Sequence, residues 1–490
     1  MPYIQGESRD QLTLTPMCLD DYIEPDSICR VIAAYVDSLD LVAMGFKYAE
    51  TKDTGRPPFD PAGMLTLYLY GYQNRIRSSR RLNAETKRNV EVMWLMGKLT
   101  PDDKTICNFR KDNTEALKKV FREFSLWCNR QGLYDKELVG VDSTKIRANS
   151  SRKNIHTKKG TEKDIASVKK KISEYMKELE TNDTAKDDGA RLSPEAVHET
   201  LKRLNEKKDK FNYWKKQIEE NDGKEISTVD PDARIMHQGG NGRALDACYN
   251  VQTVVDAKHK LIVGFEVTTI PDEKDALPEM TECAKGIMGI PEISVVADKG
   301  YYDGEDISKC ETAGTTCYVP KSESGIHAPD PDYDHEKFVY NQSKDSYLCP
   351  QGFELTFQHT IKPNKGNAKR EIIYRIYRND TVCKGCSQRE KCTKNKRLAR
   401  TINRSPNQDA LDAVNVRMLT DDGRKILQER KKIVEHPFGT IKCGWGFGNY
   451  LCRGLEKATA KQSLTYLAYN LRRVFNIFKE NGDDLIAVMS

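Results

Sequence analysis

The stretch Leu138-Val139-Gly140-Val141-Asp142-Ser143-Thr144 decides how this chain is read. A short β-branched run of this kind reads as a buried strand rather than a helix, and it closes on an acid. A second run, Ile293-Ser294-Val295-Val296-Ala297, closes on Asp298 and is followed by Lys299-Gly300-Tyr301. A carboxylate ending a buried strand is costly to desolvate unless a cation or hydrogen-bond donors meet it. Single strand-terminal aspartates are more often turn or cap residues, so a third acid carries the weight. Glu435 stands seven residues before Lys442 in Glu435-His436-Pro437-Phe438-Gly439-Thr440-Ile441-Lys442. That spacing puts both on one helix face, two turns apart. Three acids from distant parts of the chain can converge on divalent metal ions, an arrangement suited to phosphoryl chemistry.

The chain has 490 residues, which implies roughly two to four structural units. Net charge is only +6, but its distribution is uneven. From Arg75 to Arg88 six Lys or Arg face one Glu, and from Ile361 to Arg400 thirteen face three acids. Such stripes are the electrostatic footprint of phosphate binding, although a solvated face reads the same way. Met1-Pro2-Tyr3-Ile4-Gln5-Gly6-Glu7 lacks a basic start and an apolar core, so no signal peptide is expected. No run approaches the roughly 18 apolar residues of a membrane span. The expected location is cytoplasmic, with the 14 cysteines reduced.

Residues 1–130 read as a helical domain. Asp60-Pro61 opens a helix carrying Met64, Leu65, Tyr68, Leu69 and Tyr72, and Thr100-Pro101-Asp102-Asp103 opens another. Arg75, Arg77, Arg80 and Arg81 between them suit a helix-turn-helix-like DNA-binding module; a helical subdomain packed on the core is the other reading. Strands are expected from Leu138, then at Tyr249–Asp256 and Leu261–Val267, with a helix near Ala276–Ile287 and a short strand at Cys317–Pro320. Residues 161–222 carry apolar positions at steps of three and four, predicting a helical hairpin with a polar turn at Asn182–Gly189. It would touch DNA, touch a second protomer, or serve as a structural arm. The strand-bearing core then occupies 131–160 and 223–325, a cysteine-rich insertion 326–405, and a helical closing part 406–490.

Within that insertion Cys383-x2-Cys386-x5-Cys392 is preceded by Cys349-Pro350-x-Gly352. Thiolates at a CxxC turn bind zinc, and two further cysteines complete a closed, structural four-thiolate site. Lys394, Lys396 and Arg397 would give this zinc-ribbon-like knob a basic surface. Tyr301 is read as lying against a base or sugar, or as plain packing. Asp303, Glu305 and Asp306 are less suited than Asp298 because they do not end the strand. Asp246 and Asp256 read as turn and cap residues. The glycine-rich run His237–Arg243 lacks a nucleotide-site context.

Asp142-Ser143-Thr144, Asp298-Lys299-Gly300-Tyr301 and Glu435-x6-Lys442, in this order, resemble the DDE transposases of bacterial insertion sequences, over the chain from about Leu12 onward. The group's fuller signature, Tyr-x2-Arg-x3-Glu-x6-Lys, is half kept: Gln428 and Lys431 stand where Tyr and Arg are expected. The resemblance implies a mixed α/β, RNase H-like catalytic core with helical and zinc-binding insertions. It implies that Asp142, Asp298 and Glu435 hold magnesium or manganese. It further implies cleavage at the ends of a mobile element and joining of the 3′-hydroxyl to target DNA by two-metal phosphoryl transfer. Lys442 would grip a phosphate, and Lys299, Lys145 and Arg147 would steer the strand. Double-stranded DNA is the expected partner, with a homodimer pairing two ends, and the resemblance also implies a nucleoid-associated location. A domesticated endonuclease or an inactive DNA-binding relic is the alternative.

Overall fold

The computed structural model describes residues 18–50, 57–184, 194–220, 223, 225–238, 245–321, 328–362, 373–395 and 399–489. Its class is mixed α+β. Asp60 caps α1 (Pro61–Gln73) by accepting from the Ala62 amide at 2.9 Å, with Pro61 in the first turn. Helix α1 is apolar on nearly every side and is buried all round, as a core helix must be. Asp102 caps α2 (Asp103–Asp112) in the same way, and α3 (Thr114–Arg130) follows.

The main sheet begins with β1 (Leu138–Arg147) and continues with β2 (Arg234–His237), β3 (Leu245–Asp256), β4 (Ile262–Thr268), β5 (Ile293–Val296) and β6 (Thr315–Tyr318). Its order is β2-β3-β1-β5-β6, with β4 also paired to β3. The β1–β3 and β3–β4 ladders are antiparallel, whereas β1–β5 and β5–β6 are parallel. One expectation is corrected here: Asp142 does not end its strand. The parallel ladder stops at Gly140↔Val296, but the antiparallel ladder with β3 runs on through Asp142↔Thr253 to Arg147↔Cys248. Asp142 therefore sits where β1 loses one neighbour and keeps the other.

Two long helices, α4 (Lys158–Thr184) and α5 (Pro194–Glu220), form the first insertion and lie against each other. Trp214 of α5 stacks on His156 at 3.6 Å. The turn expected between them lies largely outside the described residues. Helix α6 (Ala276–Met288) packs on β4, and α7 (Gly304–Thr312) follows the Asp298 turn. A second sheet is an antiparallel meander of β7 (Val339–Asn341), β8 (Ser346–Leu348), β9 (Glu354–Ile361), β10 (Tyr374–Arg378) and β11 (Ile402–Arg404). It has its own small core of Phe338, Tyr347, Leu355, Tyr377 and Ile402.

Helix α8 (Asp421–Phe438) crosses β1, and α9 (Leu455–Asn481) packs against α1, α3 and β4. Contacts across this junction are specific: Gln73 Nε2 donates to the Ala468 carbonyl at 2.5 Å, and Asn470 bonds both the amide and the carbonyl of Ile262. The main hydrophobic core runs without a break from Ile23 to Met489, so the N-terminal helices and the main sheet share it.

Candidate acidic site

The site is built where β1, β5 and α8 meet. Gly140, two residues before Asp142, is the point of closest approach. A Cβ there would lie 2.7 Å from Val434 Cγ1 and 2.8 Å from Ile433 Cγ2, closer than real atoms tolerate. The missing side chain thus lets α8 lie directly on the strand, with Glu435 next in sequence to these two contacts. Pro437 interrupts the helical amides, and the chain continues into a π-helical turn, Gly439–Gly444, that carries Lys442.

Asp142 is largely buried and its Oδ2 meets Arg430 Nη1 of α8 at 2.9 Å. Burial pushes its carboxyl up to about 6, against the pull of the Arg430 guanidinium and with the added push of the Asp298 charge. Asp142 and Asp298 each lie two residues past the last pair of the β1–β5 ladder, Gly140↔Val296. Asp298 lies two residues past β5 and its Oδ1 accepts from the Gly300 amide at 2.8 Å, capping a short 3-10 turn. Glu435 is exposed on α8. Among the described residues, no three His, Cys, Asp or Glu side chains are arranged to hold one metal ion. The structure thus brings Asp142 and Asp298 together and places Glu435 on the crossing helix without closing a three-acid cluster.

The remaining expected residues divide between surface and interior. Lys299, Arg147, Arg75, Arg80, Arg81 and Lys394 are exposed. Arg80 pairs with Asp103 at 3.4 Å. Arg77 is half-buried, donating to both the carbonyl and the side-chain oxygen of Asn449 and lying over the Phe447 ring. Lys442 turns inward, donating to Thr144 Oγ1 at 2.9 Å and the Lys145 carbonyl at 3.1 Å, so it pins the π turn to β1. Tyr301 corrects the expectation of a base contact. It is 1% exposed, with its hydroxyl donating to Gln252 Oε1 at 2.5 Å, because it fills the core under the Asp298 turn. Lys396 and Arg397 lie outside the described residues.

Two residues escaped the sequence reading. The cation that α8 sends to the strand is Arg430, not Lys431, which is exposed. Glu273, in the loop before α6, accepts from Ser143 Oγ at 2.9 Å and pairs with Lys145 at 2.7 Å. No local pattern marks Glu273; only the tertiary fold brings it to β1.

In the second sheet Cys349, Cys383, Cys386 and Cys392 line one small cavity, together with Phe338 and Leu355. Burial pushes the Cys392 thiol up to about 11, with Arg400 opposing and the other three thiols adding to the rise. Gly352, at φ 81°, makes the tight turn that lets the Phe353 amide reach Cys349 Sγ at 3.3 Å.

Two family models match the chain. A Transposase DDE domain matches residues 348–475, which include Glu435, Lys442 and the four cysteines, and a Transposase domain (DUF772) matches residues 17–112. No curated protein matches it. Among the described residues no helix is long and apolar enough to cross a membrane.

Proposed function

From a chain that belongs to the DDE transposases of insertion sequences, we propose that Asp142, Asp298 and Glu435 cleave the ends of the element and join the freed 3′-hydroxyl to target DNA. The observation that carries this reading is that Asp142 and Asp298 both lie two residues past the end of the β1–β5 parallel ladder, against which the helix bearing Glu435 packs. The strand order, with antiparallel β3 on one side of β1 and parallel β5, then β6, on the other, supports an RNase H-like core.

The donor set fits magnesium or manganese, which take carboxylate oxygens. Asp142 and Asp298 would hold it, and Glu435 would complete the set from α8. Bound magnesium supplies activation of the attacking oxygen and stabilisation of the leaving one. The chain's own residues do the rest. Gly140 keeps α8 against β1, Lys442 locks the π turn to the same strand, and Arg430 balances the Asp142 charge. Exposed Lys299 and Arg147 would meet backbone phosphates on either side. The four cysteines line one cavity without closing a metal-binding cluster, and a structural zinc would have to draw their thiolates together; Lys394 beside them would face DNA. Pairing of two ends would call for a homodimer.

The test is incubation of the protein with a labelled element end, target DNA and magnesium. Nicking with joining supports the transposase; nicking alone would leave a domesticated endonuclease, and binding without nicking a relic.

A further inference from the structure

We propose that Glu273 is a positioning residue of the acidic site: its carboxylate braces β1, through Lys145 and Ser143, beside the turn that carries Asp298. This rests on the reading that Asp142 and Asp298 take the divalent ion. Glu273 is 130 residues from Ser143 in the chain, so no local constraint brings them together. Its Oε1 accepts from both Ser143 and Lys145, which alternate with Asp142 and Thr144 and therefore project from the other face of β1. Arg430 and Lys442 hold Asp142 and Thr144. The strand is thus gripped on one face by α8 and the π turn, and on the other by Glu273.

The second oxygen of Glu273 faces the Asp298 turn. A Cβ built on Gly300 would lie 2.9 Å from Asp298 Oδ1 and 3.3 Å from Glu273 Oε2, so the two oxygens are at most about 6 Å apart. Side-chain exposure is 15% for Lys145 and 23% for Glu273, so solvent screens this pair less than a surface one. Glu273 would act on the ion only by fixing the distance between the aspartates.

Manganese binding by the full chain, followed by the loss of the free-ion paramagnetic resonance signal, tests the proposal without relying on activity. Asp142→Asn and Asp298→Asn establish whether the ion sits at the aspartates. Glu273→Gln and Lys145→Met are each expected to weaken binding about tenfold, the low end for groups that orient a metal ligand. The double variant should be no weaker than either single one, and Lys145→Arg should bind as the unchanged protein does. Loss of binding in Glu273→Gln but not in Lys145→Met would make Glu273 a ligand and overturn the positioning role. Unchanged binding in both, or additive losses, would overturn it as well. If the aspartate variants bind normally, the underlying reading of the site fails and this proposal fails with it.

Discussion

Arg430 Nη1 lies 2.9 Å from Asp142 Oδ2, so the acid buried within β1 is met by a cation from the helix that carries Glu435. The ion pair and the Gly140 contact together set how α8 lies on the strand. A buried pair of this kind contributes little net stability, but removing one partner strands the other charge. The junction is therefore a device for geometry more than for stability.

Gly140→Val tests that geometry. Its added carbons would overlap Val434 and Ile433, and overpacking costs about 1–3 kcal/mol. The expected outcome is a lowered melting temperature together with a loss of cleavage larger than the stability change explains, because Glu435 is displaced. Full activity in Gly140→Val would show that the close approach is dispensable.

The raised Asp142 carboxyl gives a pH signature. Its ordinary value of 3.8 is lower than its folded value of about 6, so the unfolded chain releases the proton first as pH rises. Asp142 therefore costs nothing below about pH 4, and its penalty grows to about 3 kcal/mol above pH 6. Relative to the unchanged protein, Asp142→Asn should gain melting temperature between pH 4 and 7. Calorimetry without divalent ions checks this; a difference that is constant with pH would contradict it.

The cysteine cavity predicts about one tightly held zinc per chain. Structural zinc contributes on the order of 10 kcal/mol to folding a small metal module. Changing Cys383 and Cys386 together to Ser should release the metal and partly unfold the second sheet. Elemental analysis showing no zinc, with all four thiols readily alkylated, would contradict this.

Basic clusters should act through phosphates. Arg75, Arg80 and Arg81 changed to Ala, or Lys394, Lys396 and Arg397 changed likewise, should weaken duplex binding most at low salt. For every phosphate that a variant no longer neutralises, the slope of log affinity against log salt should become shallower by about one unit. Arg77 is left out of the first set because it also holds Asn449. Unchanged slopes in both sets would put the DNA on another face, such as the α4–α5 arm.

Much of the fold around the proposed site was legible in the residues. The apolar runs at Leu138–Val141 and Ile293–Ala297 form strands, and the caps at Asp60 and Asp102 open helices where expected. What escaped depended on tertiary pairing. The continuation of β1 past Asp142 is dictated by the β3 ladder, which no local pattern announces. Helix phase explains Arg430: it lies four residues before Val434 and so shares the face that meets Gly140, whereas Lys431 lies four before the exposed Glu435. Tyr301 was ambiguous because a tyrosine beside a glycine turn fits both a stacking surface and a core.

The most direct test of the account is cleavage of a labelled element end in magnesium by Asp298→Asn, with Asp142→Asn and Glu435→Gln alongside. Each substitution removes a charge with almost no change in volume, and although Asp142→Asn also leaves Arg430 without its partner, folding and end binding should persist in all three. The account predicts that all three bind the end and none cleaves it. A well-folded Asp298→Asn protein that cleaves at nearly the unchanged rate would contradict it.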